Sequence, residues 1–408
     1  MTFEQFTFHP QINAGILSSG YTTPTPIQAQ TIPPILIGRD VLGLAQTGTG
    51  KTAAFVLPIL QHLMNRPRGR LRALIISPTR ELSEQTHQAI KTLGRNTNLR
   101  SMTIFGGVSL QPQVKGLREG IEIAVVCPGR LLDLMGQNKV NLNSVEIVVL
   151  DEADHMFDMG FLPGIRRILK ALPNTRQTLL FSATMPNEVR SLATEMLHNP
   201  ETIEIGISQP LETVSHSVYP VHTTQKTELL LTLLRSSGNG QVLVFTRTKH
   251  RAKKLSEQLI HAGVSATSLQ GNLSQNKRTE AMDRFRSGKA KVMVATDIAA
   301  RGIDVSQVTH VINYDIPDTA DAYTHRTGRT GRMEHLGEAY SLITSEDVTM
   351  VRTIEKLLGR RLERRNLDSF QVPNPNHPVT PQQTSTRPRQ PQQQYRRTRQ
   401  SAPLHSSR

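Results

Sequence analysis

Cysteine, tryptophan and long apolar runs are scarce or absent in this chain. Cys127 is the single cysteine among the 408 residues, and there is no tryptophan. One thiol cannot form an intramolecular disulfide or a cysteine-rich zinc site, which favours a reducing, cytoplasmic location. No apolar run approaches the roughly 20 residues of a membrane-spanning helix. The N-terminal segment MTFEQFTFHPQ lacks a basic region followed by an apolar core. We therefore expect a cytoplasmic protein with no membrane partner and no signal peptide.

Acidic residues are in deficit, with 33 Asp and Glu against 48 Lys and Arg, for a formal net charge of +15. Much of the excess lies in residues 360–408, which contain ten arginines but only Glu363 and Asp368 as acids. A cationic chain favours a polyanionic partner such as nucleic acid, because neutralising phosphates releases counterions. Composition alone leaves open a basic tail that serves only solubility.

Short apolar segments alternate with segments of helical periodicity as far as about residue 358, and the pattern restarts after the polar stretch ISQPLETVSHS. Strands separated by helices predict an α/β fold in which parallel sheets are covered on both faces. Two such sets in tandem predict two domains with a cleft between them. The candidate strands are residues 40–45, 72–77, 121–127, 145–150, 177–183 and 201–206, then 241–246, 265–270, 290–296, 309–314 and 338–343.

The predicted boundaries follow these patterns. An N-terminal region, residues 1–30, precedes a first domain at 31–207. A linker at 208–216 leads to a second domain at 217–365. From residue 366 the chain is rich in Pro, Gln, Ser and Arg, so we expect a disordered basic tail at 366–408 that cannot bury enough apolar surface to fold.

The segment AQTGTGKT lies between the first candidate strand and a candidate helix. Its glycines let backbone N–H groups surround phosphate oxygens at the start of the helix. In this pattern Lys51 reaches the β- and γ-phosphates, and Thr52 ligates Mg²⁺. Alanine stands at the first position, where the general pattern has glycine. The predicted nucleotide-binding residues here are Ala45, Gln46, Thr47, Gly48, Thr49, Gly50, Lys51 and Thr52.

Three acids within four residues follow the apolar run VEIVVL: Asp151, Glu152 and Asp154. The dipole of a following helix stabilises acids in its first turn, and that structural role alone would account for them. In a chain that also carries a phosphate-binding loop, they instead predict that Asp151 holds Mg²⁺ and that Glu152 orients and deprotonates an attacking water. A hydrogen bond to another motif is one role open to Asp154. His155 reads as a packing or surface residue.

An arginine-rich segment, YTHRTGRTGR, occupies residues 323–332 of the second candidate domain. Its interleaved glycines place Arg326, Arg329 and Arg332 on a tight turn. Cations brought from a second domain to a γ-phosphate would make hydrolysis depend on closure of the domains. A solvated basic turn explains this segment equally well when it is read alone.

Taken together, these motifs and their order resemble the DEAD-box RNA helicases, most closely the bacterial RhlE type, over residues 3 to about 360. The resemblance implies two RecA-like domains that use ATP and Mg²⁺ and act on RNA. The segment GYTTPTPIQ resembles the family's Q motif, which makes residues 1–30 a Q-motif region. The implied adenine contacts are Gln28, Phe3 by stacking, and Tyr21. Asp304 is implied to contact the ribose, Arg329 and Arg332 the γ-phosphate, and His325 the attacking water.

The resemblance also implies contacts to the RNA backbone, carried by the segments PTREL, CPGR, VFTRTK, QGN, QNKR and ATDIAARGID and by a glycine pair at 106–107. Cys127 replaces the threonine usual in the family, which predicts one weakened contact. The segment SAT resembles the one that couples hydrolysis to unwinding, and implies this role for Ser182 and Thr184. The implied RNA-binding residues are Pro78, Thr79, Arg80, Gly107, Gly129, Arg130, Arg247, Gly271, Thr296 and Asp297.

The expected function is therefore that of an ATP-dependent RNA helicase, active as a monomer in ribosome assembly or RNA turnover. Ribosome precursors and RNA-decay proteins are the expected partners. Binding through phosphates and sugars is expected to tolerate any RNA sequence. Two alternatives remain open: an ATP-dependent RNA clamp or scaffold that does not unwind, and a superfamily 2 translocase directed to DNA, which the Q motif and PTREL oppose.

Overall fold

The computed structural model describes residues 2–46, 48–205, 214–238, 240–300, 307–331 and 336–367, with the backbone alone at residue 298. Several sequence predictions concern residues outside these ranges: Thr47, Asp304, Arg332, residues 208–213 of the predicted linker, and residues 368–408 of the predicted tail. Within the described ranges, no helix combines the length and the apolar character that a membrane span requires.

The first domain is a parallel sheet of seven strands in the order β3-β4-β2-β5-β6-β1-β7. Alternate residues of a strand point to opposite faces, and the core follows this rule. Ile147 and Val149 of β5 pack on the face covered by α1–α4, whereas Val148 and Leu150 pack on the face covered by α5–α9. The elements are α1 Pro10–Ser18, α2 Pro26–Leu36, β1 Val41–Ala45, α3 Lys51–Met64, β2 Ala73–Ile76, α4 Arg80–Leu93, β3 Ser101–Ile104, α5 Gln111–Glu119, β4 Ile123–Val126, α6 Pro128–Gly136, β5 Ile147–Leu150, α7 Ala153–Asp158, α8 Leu162–Lys170, β6 Gln177–Ser182, α9 Asn187–Met196 and β7 Glu201–Ile205.

The second domain repeats this architecture, with seven parallel strands in the order β10-β11-β9-β12-β13-β8-β14. Its helices again cover both faces of the sheet, because the strands are apolar on both sides. The elements are β8 Val214–Pro220, α10 Lys226–Ser236, β9 Gln241–Phe245, α11 Lys249–His261, β10 Ala266–Leu269, α12 Gln275–Arg286, β11 Val292–Ala295, α13 Asp297–Ala300, β12 Val308–Asn313, α14 Ala320–Thr327, β13 Gly337–Ile343, α15 Val348–Leu358 and β14 Glu363–Arg364.

All eleven predicted strands are present, with ends that differ by one or two residues. Three strands were not predicted. Strand β3 lies at an edge and is only partly buried, and β14 has two residues, so neither has a strong apolar pattern. Strand β8, VSHSVYP, contains polar residues and begins at Val214, within the segment predicted as a linker. Helix α2 likewise crosses the boundary predicted at residue 30.

Candidate active site and nucleic-acid groove

The predicted phosphate loop joins the end of β1 to the start of α3. Gly48 and Gly50 have φ values of 88° and 95°, in the left-handed region that glycine adopts without strain. The Lys51 side chain is buried at 6% exposure, and its Nζ donates a hydrogen bond of 2.7 Å to the carbonyl of Ala45. The loop therefore holds the lysine at the N-terminus of α3, the end of a helix that attracts anions.

The Q-motif glutamine is built into this loop. Gln28 is 4% exposed; its Oε1 accepts a 2.9 Å hydrogen bond from Thr25 N–H, and its Nε2 donates one of 3.1 Å to the carbonyl of Gly50. Phe3 stacks on Tyr21 with ring centroids 6.0 Å apart and planes at 29°. Phe3 is only 5% exposed, whereas Tyr21 is 39% exposed, so Tyr21 presents the more accessible ring beside the loop.

The acids predicted to act in catalysis follow β5 at the carboxyl edge of the same sheet. Asp151 is 2% exposed, and its buried Oδ1 has no hydrogen-bond partner in the described part of the chain. Glu152, at φ 55°, is one of five non-glycine residues described with a positive φ. Its Oε2 lies 2.7 Å from Nδ1 of His155. The strained backbone thus turns the Glu152 side chain toward a buried imidazole.

Burial and neighbouring charges separate the pKa values of these two carboxyl groups. Burial, together with the charge of Glu152, raises the pKa of Asp151 to about 7. Burial also acts to raise the pKa of Glu152, but His155 and the positive charges of Arg329 and Lys51 outweigh it and hold that pKa at about 2. Glu152 therefore stays ionised at neutral pH, so its carboxylate can accept a hydrogen bond from a water.

Asp154 connects the acids to the SAT segment. Its Oδ2 accepts hydrogen bonds from the backbone N–H groups of Ala183 and Thr184, at 3.2 and 2.9 Å, and from the Thr184 hydroxyl at 3.1 Å. The Ser182 hydroxyl in turn accepts from Asp154 N–H at 3.2 Å and donates to the Thr184 carbonyl at 2.7 Å. Both predicted coupling residues, Ser182 and Thr184, therefore touch the acidic motif directly.

The arginine-bearing turn of the second domain reaches these acids. Nε2 of His325 lies 3.6 Å from Oδ2 of Asp154, and its ring packs edge-on against His155 with centroids 4.6 Å apart. Arg329 is 4% exposed and close enough for its charge to lower the pKa of Glu152. The structure thus brings together residues that follow β5 and residues of α14 and the turn after it.

A second set of contacts holds the two domains together beside the acids. Nε of Arg278, on α12, lies 2.7 Å from Oε1 of Glu81, on α4, and both side chains are largely buried. One residue earlier on α4, Nη1 of Arg80 donates a hydrogen bond of 3.0 Å to Oε1 of Gln275. The segments PTREL and QNKR therefore face each other across the cleft.

A groove of about 700 Å³ runs between the domains and is lined by residues of both. Eight of the ten residues predicted to bind RNA line it: Pro78, Thr79, Arg80, Gly129, Arg130, Arg247, Gly271 and Thr296. Gly107 and Asp297 do not. The Asp297 carboxylate forms a two-point ion pair, at 2.5 and 2.7 Å, with Arg326, the residue that follows His325 on α14.

Glycines and a cysteine lie in or close to the walls of the groove. A Cβ atom on Gly107 would meet the guanidinium of Arg80, and the backbone there has φ 77°, so a substitution would strain the backbone and displace the Arg80 side chain. Open space surrounds the Cα of Gly129 and of Gly271, which leaves backbone accessible to a ligand. The Sγ of Cys127 lies 3.4 Å from the Ser83 hydroxyl, and burial raises the pKa of this thiol to about 11.

Sequence reasoning missed several residues of the site. The sequence predicts a packing or surface role for His155, yet this residue pairs with Glu152. The spacing of three residues between Glu152 and His155, at the start of one helix, is the feature that could have indicated the pair. The ion pair of Glu81 with Arg278 joins residues 197 positions apart and had no local signal. Lys249 and Phe161 also line the groove.

The two RecA-like domains enclose one cleft that contains a phosphate loop, paired acids and a cationic turn. This arrangement defines a nucleic-acid-dependent nucleotide hydrolase. The family model "DEAD/DEAH box helicase" matches residues 25–192, and "Helicase conserved C-terminal domain" matches residues 225–334. The chain is 41% identical over 363 residues to the ATP-dependent RNA helicase CshA of Limosilactobacillus reuteri, covering 89% of this chain and 73% of that one. It is 42% identical over 346 residues to the RNA helicase CrhR of Synechocystis, covering 84% and 70%. The chain belongs to the DEAD-box RNA helicase family.

Solved structures of the family agree with the fold and differ in how well the whole chain superposes. The chain matches S. cerevisiae Dbp5 bound to RNA and ADP BeF3 with a TM-score of 0.82 and 31% identity, over 90% of this chain and 96% of that one. The match to Mss116p bound to ssRNA and AMP-PNP has a TM-score of 0.80, 27% identity and coverage of 90% and 80%. A DEAD box protein from Methanococcus jannaschii is covered to 99% at 34% identity, with a TM-score of only 0.53.

Proposed function

We propose that this chain is an ATP-dependent RNA helicase that couples the binding and hydrolysis of ATP to local unwinding or remodelling of RNA duplexes. The observation that carries the proposal is the approach of His325 and Arg329, from the second domain, to Asp154 and Glu152 of the first. The same closed arrangement forms the groove lined by the predicted RNA contacts of both domains. Closing the cleft would therefore complete the hydrolytic site and the RNA site together.

ATP would bind between the Q motif and the phosphate loop. Phe3 remains the proposed stacking partner of the adenine, together with Tyr21, on which it stacks and whose ring is the more exposed, and Gln28 would give the purine its hydrogen-bonding specificity. Lys51 would exchange its bond to the Ala45 carbonyl for the β- and γ-phosphates. Asp304 remains the proposed ribose contact, and Thr47 a proposed part of the phosphate loop.

The residues present also suit Mg²⁺. Mg²⁺ in nucleotide sites is usually held by one or two protein oxygens together with phosphates. Asp151 offers a buried Oδ1 that has no hydrogen-bond partner among the described residues, and Thr52 offers a hydroxyl in the first turn of α3. When bound, the ion would neutralise phosphate charge and orient the triphosphate.

Hydrolysis would rest on four side chains. Glu152, kept ionised by His155, would accept the proton of the attacking water. His325 would help to position that water, and Arg329 would stabilise negative charge on the transferred phosphoryl group, as an arginine finger does. Arg332 is proposed as a second such cation.

The hydrogen bonds of Asp154 suggest how hydrolysis is coupled to RNA. Asp154 contacts the SAT segment through Thr184 and faces His325 across the cleft. Loss of the γ-phosphate would remove the anion that draws the two domains together, and the contact of His325 with Asp154 would open. Opening would separate the two walls of the groove and release the RNA.

RNA would be bound through its backbone. The groove offers Arg80, Arg130 and Arg247 for phosphates, and bare backbone at Gly129 and Gly271. Such contacts carry little base information, so binding should tolerate any sequence. Discrimination against DNA would rest on 2′-hydroxyl contacts, for which Thr296 and Thr79 are placed in the groove.

The narrower assignments are also proposals. We propose the RhlE type within the family, although the relatives described above carry the names CshA and CrhR. We propose a cytoplasmic monomer that acts on ribosome precursors or alongside RNA-decay proteins. Residues 366–408, with their excess of arginine, would add salt-dependent affinity for RNA.

The test is the rate of ATP hydrolysis with single-stranded RNA, duplex RNA and DNA, combined with strand separation of a short RNA duplex. We expect stimulation by RNA and not by DNA, and ATP-dependent separation of the duplex. Equal stimulation by DNA would favour a DNA translocase, and RNA-stimulated hydrolysis without separation would favour a clamp. Glu152→Gln should abolish turnover while retaining ATP-dependent RNA binding, and unchanged turnover would refute its assignment as the base.

A further inference from the structure

A basic pocket lies at the edge of the first sheet opposite the catalytic cleft. The loops before β2, β4 and β5 surround it, whereas the ATP and RNA residues follow the carboxyl ends of these same strands. Its volume is about 670 Å³, close to the 700 Å³ of the groove between the domains. We call it the back pocket and define it by Arg70, Arg118 and Lys139.

The three cations that define the back pocket form no ion pair within the described part of the chain. Arg70 and Arg118 are exposed, and neither has an acidic partner among the described residues. Nζ of Lys139 donates a 2.6 Å hydrogen bond to Oε1 of Gln137, a neutral amide. None of the described residues that line the pocket is acidic. Three cations around one concavity that no acid lines favour an anionic ligand, because a cleft lined by one sign of charge raises the local concentration of counter-ions.

The loop that carries Arg70 is held in place from within the protein. Glu122 is 1% exposed, and its two carboxylate oxygens accept backbone hydrogen bonds from Gly69 at 2.6 Å and Arg100 at 2.7 Å. Gly120 packs so closely that a Cβ atom there would lie 2.7 Å from the Gly69 carbonyl oxygen. The arginine is thus presented by an ordered loop, which lowers the entropy lost when it binds an anion.

We propose that the back pocket binds backbone phosphates of a second stretch of the RNA that occupies the groove, an inference that rests on the proposed function. The strands between the two sites have four residues each, or roughly 13 Å of backbone, so RNA leaving the groove could follow the rim of the first domain. No aromatic side chain lines the pocket among the described residues, which removes base stacking and leaves contacts to phosphate. An acidic protein segment is the competing occupant.

The inference predicts a dependence on RNA length and on salt. For single-stranded nucleic acid, each phosphate contact contributes about −0.7 to the slope of a plot of the logarithm of affinity against the logarithm of salt concentration. Three contacts in the back pocket would contribute about −2 to that slope. RNA that fills only the groove would lack this contribution, and longer RNA would have it.

The experiment compares the full-length protein with a triple variant, Arg70→Gln, Arg118→Gln and Lys139→Gln. Binding is measured by fluorescence anisotropy with an ATP analogue, on single-stranded RNA of roughly 8 and roughly 30 nucleotides, across a salt series. We expect affinity for the long RNA to fall about tenfold or more and its salt slope to flatten by about 2, with the short RNA unaffected. The control is a triple variant of the same charge at exposed positions that line neither the groove nor the back pocket, Arg190→Gln, Arg235→Gln and Lys289→Gln.

The outcomes separate this inference from the proposed function. Equal losses in the two triple variants, or no loss in either, would overturn the back pocket as an RNA site while RNA-stimulated hydrolysis continued. The pocket would be assigned to an acidic protein if the wild-type protein bound a labelled polyglutamate, the triple variant did not, and long-RNA binding was unchanged in the variant. That result would overturn the inference. Absence of RNA stimulation with the short RNA in the wild-type protein would instead refute the proposed function.

Discussion

Breaking the ion pair between Glu81 and Arg278 should weaken closure of the cleft without unfolding either domain. The pair joins the two domains at 2.7 Å, and the side chains are only 11% and 8% exposed. In an open protein both groups would be hydrated, whereas in the closed form Glu81→Gln would leave the buried charge of Arg278 without a carboxylate and facing only neutral oxygens, among them the Gln270 carbonyl at 3.2 Å. Removing one partner of such a pair costs about 2 kcal/mol or more, or about 30-fold in the closing equilibrium.

The assay is the RNA concentration that half-maximally stimulates ATP hydrolysis, because RNA binds the closed form and its apparent affinity falls with the population of that form. We expect about a 30-fold increase for Glu81→Gln, a similar one for Arg278→Gln, and little further increase for the double variant. The control is Glu195→Gln. It breaks an arginine–carboxylate pair of similar length, at 2.7 and 2.8 Å, that is exposed and lies within the first domain. Additive effects of the two cleft variants, or an equal effect of Glu195→Gln, would refute the reasoning.

Three further predictions concern single residues. Lys51→Ala should abolish ATP hydrolysis while thermal unfolding stays unchanged, as measured by phosphate release and circular dichroism; residual turnover near the wild-type rate would contradict the role of the phosphate loop. Cys127, whose pKa burial raises to about 11, should react slowly with iodoacetamide at pH 8 in the native protein and faster after unfolding, and fast native labelling would contradict the raised pKa. Burial of His216 lowers its pKa to about 4. As the pH falls, the unfolded chain therefore takes up this proton at a higher pH than the folded protein does. The free energy of unfolding should fall between about pH 6.5 and pH 4, by up to about 1.4 kcal/mol per pH unit. Denaturant titrations of the wild-type protein and His216→Gln should diverge in that pH range, and parallel curves would exclude His216 as the cause.

The parts of the site that could be predicted from sequence share one physical basis. The carboxyl ends of parallel strands meet at one edge of a sheet, so Lys51, Arg80, Arg130 and Asp151 could be placed there once the strands were recognised. Apolar runs such as IVVL in β5 identify a strand buried on both faces, which made those strands easy to find. The same argument places Arg247 and Asp297 at the corresponding edge of the second sheet.

What could not be predicted depends on the angle between the domains or on exposure. The pairing of Glu81 with Arg278 and the approach of His325 to Asp154 join residues far apart in sequence, on helices of different domains. Their partners follow from how the domains dock, which no periodicity encodes. The exposure of Phe3 is one example. The motif places Phe3 near the nucleotide, but only the fold shows that its ring is buried and stacks on the more exposed ring of Tyr21.

The central claim is that one domain supplies the phosphate loop and acids and the other supplies the cations that complete the hydrolytic site. The most direct test is a crystal structure of the full-length protein with single-stranded RNA and ADP plus beryllium fluoride as a γ-phosphate mimic. We predict that the guanidinium of Arg329 lies within hydrogen-bond distance of that mimic, about 3 Å, while Lys51 contacts it from the other side. A closed complex in which Arg329 makes no contact with the mimic would contradict the account.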